Sequence, residues 1–392
     1  MSTRIQKTVS PSASKKRSKY RDFAHTGPRT LAGRYMRTFW QPVYRSQDLP
    51  PGDVKPIRIL GEDLTLYRGE SGAAHLVGFR CRHRGAQLSV GWVEQDEIRC
   101  FYHGWKYDAR GRCTEQPAEP KPFCRDVKIK SYPVQEYLGL IFAFLGEGEP
   151  PELERYPNFE ESEVHLIVRP KDHRGYNFFQ DFENGMDRVH GGFVHRTLPG
   201  SFDGRTDSPL VRAEEDYWGL KTFGEHPSGR VSIQSFGMPN KQHIKFTFGK
   251  EDRGLDAMEV LTWKVPLDDE NTAHLGVQAI RGKQAIEKFR KAEAERGAKP
   301  LSDPFKLAEE VIAGRLRHDD VDPESTNMVW FQDNIVLLAQ GAIADRNTEY
   351  LGASDAPIVL LRRIWEREMR ALDKGRPLKK WKYNPAQKLR KQ

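Results

Sequence analysis

The chain has 392 residues, of which 37% are hydrophobic, 30% charged and 10% aromatic, and its formal net charge is +8. This length is enough for two domains, each with its own core, and the aromatic content excludes a wholly disordered chain. No apolar run approaches the roughly 20 residues that span a bilayer, and the N-terminus has no hydrophobic signal segment. We therefore expect a soluble, cytoplasmic protein that does not contact membranes.

The positive charge lies at the two ends of the chain. The first 20 residues contain six basic and no acidic residues, and residues 362–392 contain twelve basic and three acidic ones. A nucleic-acid-binding domain would concentrate its charge on a folded face, so the pattern argues against such a partner. Residues 1–28 are predicted to be a disordered basic tail, with a mitochondrial transit peptide as the alternative.

Residues 29–150 are predicted to form a small all-β domain. Short apolar or alternating runs such as IRILGEDLTLYRGESG, AHLVGFRC and GLIFAFLG are separated by turn residues, which is typical of several short strands. The segment GEGEPPELERYP then interrupts regular structure with three prolines, which predicts a domain boundary near Gly146–Pro157.

The β-rich half contains a metal-binding pattern, C-x-H-x16-C-x2-H, formed by Cys81, His83, Cys100 and His103. A structural zinc site usually uses C-x2–4-C and H-x3–5-H pairs instead. A Rieske [2Fe–2S] centre needs two cysteines on one iron and two histidines on the other, and two facing Cys-His loops meet that need. Zinc and a metal-free arrangement remain as alternatives. Cys113 and Cys124 have no histidine beside them and are expected to be ordinary reduced thiols.

Residues 151–392 are predicted to form an α+β domain. The runs VSIQSFG, HIKFTFG, MEVLTWKVP and HLGVQAIR have the composition of strands. Residues 283–317 are charged with apolar residues at helical spacing, which predicts exposed helices, and a final amphipathic helix is expected to stop at Gly375.

A second pattern, D-x2-H-x4-H, consists of Asp187, His190 and His195. Helical spacing places Asp187 and His190 on one face, whereas His195 would point about 140° away in an unbroken helix. Gly191 and Gly192 are where the helix is expected to end or distort, so that His195 can turn back. Two histidines and one carboxylate form the facial triad of non-haem Fe(II) oxygenases. Taken alone, this spacing is more often found in ordinary surface or core histidines.

Together the two patterns resemble Rieske non-haem iron oxygenases. C-R-H-R-G and C-F-Y-H-G-W resemble the two cluster loops of that family, and E-N-x2-D-x2-H-x4-H resembles its catalytic motif. The stretch QDNIVLLAQGAIADRNTEYLGASD resembles the phthalate-dioxygenase-like branch. The resemblance runs from Thr30 to Trp381. It implies an N-terminal Rieske domain with a lead-in helix, followed by a helix-grip (START-like) antiparallel-sheet catalytic domain.

The resemblance also implies the roles of individual residues. The [2Fe–2S] cluster would be held by Cys81, His83, Cys100 and His103, and the mononuclear Fe(II) by His190, His195 and Asp333. Among three candidate acids, the family pattern favours Asp333, whereas Asp345 is interpreted as a salt-bridged turn residue and Asp355 as a cap of the final helix. Asn184 and Gln332 are expected to support the iron ligands.

Asp187 is predicted to take part in catalysis. One helical turn before His190, its carboxylate can hydrogen-bond the far nitrogen of that ligand. In the family that the chain resembles, the equivalent acid also reaches a cluster histidine of a neighbouring subunit. The resemblance therefore implies a head-to-tail ring, namely a homotrimer.

The implied activity is that of a terminal oxygenase that uses O2 for mono- or dioxygenation or O-demethylation in aromatic catabolism, with aromatic acids as the expected substrates. No nicotinamide- or flavin-binding fingerprint is present, so electrons from NAD(P)H are expected to arrive through a separate reductase or ferredoxin. A basic surface could steer an acidic partner: Arg80, Arg82, Arg84 and Lys106. A substrate carboxylate could meet Arg188, Arg196 or Arg212. The alternatives are a Rieske electron carrier without oxygenase activity and a zinc-stabilised binding protein.

Overall fold

A computed structural model of the chain describes residues 18–198, 208–227, 229, 231–247, 257–296 and 301–384. These residues form seven α-helices, which are α1 (Leu31–Met36), α2 (Phe178–Met186), α3 (His190–Val194), α4 (Lys283–Arg296), α5 (Pro304–Ile312), α6 (Met328–Ala339) and α7 (Ala356–Asp373). Across the described ranges, no helix has the length and apolar content of a membrane span.

The first half of the chain contains three antiparallel sheets. The strands are β1 (Gln41–Arg45), β2 (Val54–Ile59), β3 (Glu62–Arg68), β4 (Ala74–Gly78), β5 (Trp92–Glu94), β6 (Glu97–Arg99), β7 (Lys106–Tyr107), β8 (Cys113–Glu115), β9 (Ser131–Tyr132), β10 (Val134–Tyr137) and β11 (Leu140–Ala143). They pair in the orders β1-β11-β10, β2-β3-β4-β9 and β5-β6-β7-β8. The predicted all-β character is confirmed. The predicted cluster loop with Cys81 and His83 follows β4 of the second sheet, and the loop with Cys100 and His103 joins β6 to β7 of the third.

The second half is built on one large antiparallel sheet. Its strands are β12 (His165–Val168), β13 (Asp172–Arg174), β14 (Leu210–Glu215), β15 (Gly219–Glu225), β16 (Val231–Gly237), β17 (Lys241–Thr247), β18 (Ala257–Pro266) and β19 (Thr272–Arg281). The order is β12-β19-β18-β17-β16-β15-β14, and β13 also pairs with β19. The predicted strands, exposed helices and closing helix are confirmed, as is the α+β class. Strands β1–β11 belong to the three small sheets and β12–β19 to the large sheet, so the predicted boundary lies between these two sets of strands. The exact domain limits stay a prediction.

The two faces of the large sheet have different neighbours. Trp263 belongs to one face and packs edge-on against Phe142 of β11, with 5.4 Å between ring centroids. Lys264 belongs to the opposite face, where its Nζ lies 2.6 Å from Asp181 of α2. Because side chains alternate along a strand, the even-numbered residues of β18 and β19 face α2.

The hydrophobic core is continuous across the two halves, which corrects the expectation of two separate cores. One cluster of buried side chains contains Leu64 and Leu66 of β3 together with Leu261 and Leu275 of the large sheet. Two smaller clusters lie around the predicted cluster loops and between α5 and α6.

Residues 18–28, predicted to belong to a disordered tail, pack against the rest of the protein. Phe23 is buried and stacks on Phe179, and the hydroxyl of Tyr20 donates to Asp373 at 2.8 Å. The prediction of disorder is therefore wrong for residues 18–28, because their aromatic side chains find an apolar surface on α2 and α7. Residues 1–17 lie outside the described part of the chain.

Candidate functional site

The helical segment with the second motif breaks earlier than predicted. Helix α2 ends at Met186, Asp187 adopts an extended conformation, and α3 begins at His190 and runs through both glycines. The Asp187 carboxylate accepts hydrogen bonds from the backbone N–H groups of Val189 (2.8 Å) and His190 (3.3 Å). Such short acidic side chains compete with helical hydrogen bonding, so Asp187 rather than Gly191 marks the break.

The break brings three candidate ligands together. One ligand atom from each of His190, His195 and Asp333 lies within 4.8 Å of the others. Asp333 Oδ1 is 3.2 Å from His195 Nε2 and 3.6 Å from His190 Nε2. Two imidazoles and a carboxylate converging on one point match the donor set of a facial triad, so the residues present fit a mononuclear iron.

The pKa shifts of His190 and Asp333 favour the forms that bind a metal, whereas the shift of His195 reflects its contact with the Asp333 carboxylate. Burial lowers the pKa of His190, which favours the neutral imidazole that a metal requires. Burial would raise the pKa of Asp333, but the hydrogen bond with His195 and the charge of His190 lower it below its usual value. Burial likewise opposes the charging of His195, yet the contact with Asp333 raises the pKa of that imidazole.

The two residues predicted to support the ligands lie beside them. Asn184 donates to Asp333 Oδ1 at 3.2 Å, and Gln332 Oε1 is 2.9 Å from His195 Nδ1. When His195 Nδ1–H donates to Gln332, the lone pair of the neutral ring lies on Nε2, the nitrogen that faces Asp333, which fixes the tautomer.

Sequence reasoning missed the residue that joins α2 to α6. The side-chain amide of Gln180 donates to the carbonyls of Leu337 (3.2 Å) and Gly341 (2.9 Å) and accepts from Ala344 N–H (2.8 Å). Gln180 is 1% exposed, and its bond to Leu337 is buried while the bonds to Gly341 and Ala344 are partly buried. They fix the helix that carries Asp333 against the helix that precedes His190. The sequence carries no local signal for this link, because its partners are about 160 positions away.

A buried ionic cluster beneath α2 was also missed. The Asp181 carboxylate forms ion pairs with Lys264 Nζ and with the His274 ring, and all three side chains are largely shielded from solvent. Burial would raise the pKa of Asp181, but these two partners hold it well below the usual range. The cluster anchors α2 to β18 and β19, since removing one member would leave an uncompensated buried charge.

The other candidate acids lie away from the triad. Asp345 accepts hydrogen bonds from the backbone and side-chain N–H groups of Asn347, so it is a turn residue as predicted. In the described ranges it has no ion pair, which corrects the predicted salt bridge. Asp355 immediately precedes α7, as predicted, and accepts from Gly352 N–H.

Asp187 lies 3.9 Å from His190 Nδ1, which is too long for the predicted hydrogen bond. It is partly exposed at the edge of an open depression of about 440 Å³, whose lining also includes Asp345 and Asp355. Glu183 and Glu349 line the depression too, but both are paired with Arg362, so the three aspartates give it its acidic character.

The two predicted cluster loops have the same backbone design. In each loop the cysteine N–H donates to a carbonyl five residues later, Cys81 to Ala86 and Cys100 to Trp105, both at 2.8 Å. In each loop a glycine in the left-handed region, Gly85 or Gly104, closes the turn by donating to the cysteine carbonyl. A side chain would be strained at these two positions.

The side chains of these loops converge. Cys81 and Cys100 are each 2% exposed, and the rings of His83 and His103 lie 4.4 Å apart. The buried His83 Nδ1 has no hydrogen-bond partner among the described residues, and the His83 ring stacks on Trp105. Two buried sulfurs and two adjacent imidazoles fit a Rieske [2Fe–2S] cluster.

Tyr107 supports one of the two sulfurs. Arg82 N–H donates to the Tyr107 oxygen at 3.1 Å, which leaves the phenolic O–H to donate to Cys81 Sγ at 3.2 Å. Sequence reasoning did not single out Tyr107, because its link to Cys81 depends on the pairing of separate strands.

The basic surface is smaller than predicted. Arg80, Arg82 and Arg84 are exposed, and Phe101 and Tyr102 beside them are 59% and 55% exposed. Lys106 is half-buried and lies 3.1–3.7 Å from three glutamates of the same sheet, so it does not contribute free positive charge.

The predicted substrate-binding arginines lie in different environments. Arg188 donates to Ser232, Arg196 is exposed, and Arg212 is paired with Glu225 at 3.0 Å. A further arginine, Arg169, extends from the end of β12 on the sheet face that α2 covers. Its guanidinium donates to Gln278 at 3.1 Å and lies 5.5 Å from the Trp330 ring, one turn before Asp333 on α6.

Comparison with known proteins identifies the Rieske domain and relatives that match most of the chain. Residues 39–133 match the family model of the Rieske [2Fe-2S] domain. The chain is 31% identical over 369 residues to the 5,5'-dehydrodivanillate O-demethylase oxygenase subunit of Sphingobium sp., which spans 90% of this chain and 80% of that protein. It is 30% identical over 379 residues to the tert-butanol monooxygenase / tert-amyl alcohol desaturase oxygenase subunit of Aquincola tertiaricarbonis, with 88% and 75% covered.

The fold is similar to that of NdmA from Pseudomonas putida CBB5. The TM-score is 0.64 with 18% sequence identity, and the match covers 87% of this chain and 92% of that one.

Proposed function

The chain belongs to the Rieske-type oxygenase subunits, and from this premise we propose that it is a terminal oxygenase that hydroxylates or O-demethylates an aromatic acid. The proposal rests on one observation: His190, His195 and Asp333 converge in the part of the chain that follows the Rieske domain. When bound, the [2Fe–2S] cluster supplies single electrons and the mononuclear iron binds and activates O2.

The residues of the chain have separate tasks in this proposal. His190, His195 and Asp333 would hold the iron, and Asn184 and Gln332 orient two of these donors. Gln180 keeps α2 and α6 at a fixed separation, so that the triad is set before substrate enters.

The iron site is tested by removing its carboxylate. We expect Asp333→Ala to lose the mononuclear iron and all turnover while it keeps the Rieske absorption spectrum, because the cluster loops lie elsewhere. Iron analysis should fall from about three to about two irons per chain. Asp345→Ala is the matched control and should keep all three. Loss of iron in the control but not in Asp333→Ala would overturn the assignment.

Arg169 is our candidate for recognising a substrate carboxylate. In the described ranges no carboxylate forms an ion pair with it, and burial lowers the pKa of its guanidinium. Asp172 raises this pKa, but its carboxylate is paired with Arg174 at 2.8 Å, so a substrate carboxylate would offset the cost of partly burying the Arg169 cation. The name of the Sphingobium relative, an O-demethylase for dehydrodivanillate, supports an aromatic acid as substrate.

Substrate charge is tested with an aromatic acid and its methyl ester. We expect Arg169→Gln to raise KM for the acid about 10- to 100-fold and to leave the ester nearly unchanged, since a hydrogen bond to a charged group contributes about 1.5–3 kcal/mol. Arg212→Gln, which removes an exposed arginine paired with Glu225, is the control. Equal losses for acid and ester would exclude carboxylate recognition by Arg169.

We also infer two partners. The exposed arginines and aromatic side chains around the cluster loops fit an acidic electron-transfer protein, namely a ferredoxin or reductase. The depression beside Asp187 supports a second partner, another copy of the chain in a head-to-tail homotrimer in which one subunit's cluster would face the next subunit's iron.

A further inference from the structure

The two cysteines that the cluster does not use lie next to each other. Cys113 begins β8, and its N–H donates to the carbonyl of Val127, whose own N–H donates to the carbonyl of Cys124. Both side chains pack in the hydrophobic cluster around the cluster loops, where burial, together with a hydrogen bond to the Cys124 thiol, raises the pKa of Cys113. The sequence separates them by ten residues, so their meeting depends on how the intervening loop folds back.

We propose that Cys113 and Cys124 form a reversible disulfide, which makes this pair a redox modification site of the Rieske domain. The oxidant is a hydroperoxide. Cys124 is partly exposed and reacts first, giving a sulfenic acid and one water from hydrogen peroxide. The sulfur of Cys113, which is 6% exposed, then displaces the hydroxyl as a second water. Two thiols thus lose two electrons and two protons, and one peroxide becomes two waters.

The segment between the two cysteines forms part of the wall around the cluster loops. Phe123 packs edge-on against Trp105, and Trp105 stacks on His83. Pro117 lies against Gly104, and Gln116 Oε1 accepts from Phe123 N–H at 2.7 Å across the loop. A disulfide between Cys113 and Cys124 would close this loop covalently and restrict the motion of the wall.

The intact holoenzyme provides the test without any substitution. Trypsin cuts after Arg112 and Arg125 and not at the Lys121–Pro122 bond, so Cys113 and Cys124 fall in one peptide, CTEQPAEPKPFCR. After exposure to a small excess of hydrogen peroxide, denaturation and alkylation with iodoacetamide, we expect this peptide to lack both alkyl groups and to weigh two hydrogens less. Dithiothreitol before alkylation should restore two alkyl groups.

The variant Cys124→Ser provides the matched control. Its Cys113 should stay fully alkylated after the same peroxide treatment, because the sulfur is buried and its partner is gone. Two alkyl groups on the wild-type peptide after peroxide, a disulfide that joins two chains, or sulfinic acid as the main product at Cys124 would each overturn the proposal.

Discussion

At the residue scale, the contact between Tyr107 and Cys81 has the clearest functional consequence. Reduction of a [2Fe–2S] cluster adds negative charge that hydrogen bonds to the ligand sulfurs stabilise. The Arg82 N–H orients the Tyr107 hydroxyl towards the sulfur, so the donor is preorganised.

We expect Tyr107→Phe to lower the reduction potential of the cluster. Loss of about 1 kcal/mol of hydrogen bonding corresponds to on the order of 40 mV for a one-electron couple. Potentiometric titration followed by the visible spectrum measures the shift. Tyr67→Phe is the matched control, because the Tyr67 hydroxyl donates to the carbonyl of Asp96 and not to a ligand. Equal potentials in wild type and Tyr107→Phe would contradict the assigned role.

At the scale of elements, Glu259 joins three strands of the large sheet. Its carboxylate contacts His243 of β17 and Arg281 of β19, both at 2.8 Å, and accepts from Asn158 of the preceding segment at 2.6 Å. Burial opposes the charge, but His243 and Arg281 lower the pKa of Glu259 to about 2.

This pKa sets a pH dependence of stability. The unfolded carboxyl titrates near 4.5, so the contribution of Glu259 is complete above that pH and is lost as the pH falls towards 2. We expect Glu259→Gln to unfold more easily than wild type by about 3 kcal/mol at pH 7, with the difference shrinking below pH 4.5. Denaturant titrations at several pH values measure it. A difference that stays constant with pH would contradict this explanation.

The sequence predicted elements better than it predicted their contacts. Alternation and helical spacing depend on neighbours in the chain, so strands such as β16 and β18 and the closing helix α7 were predictable. The sequence predicts the helix break at Gly191 and Gly192, because glycine is the usual helix breaker. The break lies at Asp187 instead, because its carboxylate accepts hydrogen bonds from the N–H groups of Val189 and His190.

Contacts between residues that are far apart in the sequence could not be predicted from local sequence patterns. The spacing of two short motifs indicated six of the candidate ligands, and a family resemblance added Asp333. The structure brings the candidates together in two groups, and their roles as ligands stay predictions. Gln180, Tyr107 and the Cys113–Cys124 pair have no such signature, since their partners are set by how strands and helices pack.

At the scale of the whole molecule, Asp187 lies between the candidate iron site and the protein surface, because its carboxylate is 3.9 Å from His190 and is partly exposed. One of its carboxylate oxygens is held by backbone N–H groups, and the side chain borders the acidic depression. In the proposed trimer this acid would meet the cluster loop of the next subunit.

We expect Asp187→Asn to keep both metal centres and a reducible cluster. The rate of product formation that accompanies cluster oxidation should fall by roughly 10- to 100-fold. Stopped-flow single-turnover measurements on the pre-reduced protein follow both events, and sedimentation gives the assembly state. Asp345→Asn, at the same depression, should behave as wild type. Normal coupling in Asp187→Asn, or full activity of a strict monomer, would refute this role.

The continuous core limits which chimeric proteins can be made by exchanging one half of the chain with that of a homologue. Leu60 and Gly61 of the β-rich half donate backbone hydrogen bonds to the carbonyls of Pro266 and Leu267, and the ring of Phe142 lies against Trp263. Exchanging the electron-transfer half for that of a distant homologue would leave these apolar faces mismatched. Chimeras of such oxygenases should therefore fold only when the interface residues are transplanted together with the module, whichever reductase the donor half recognises.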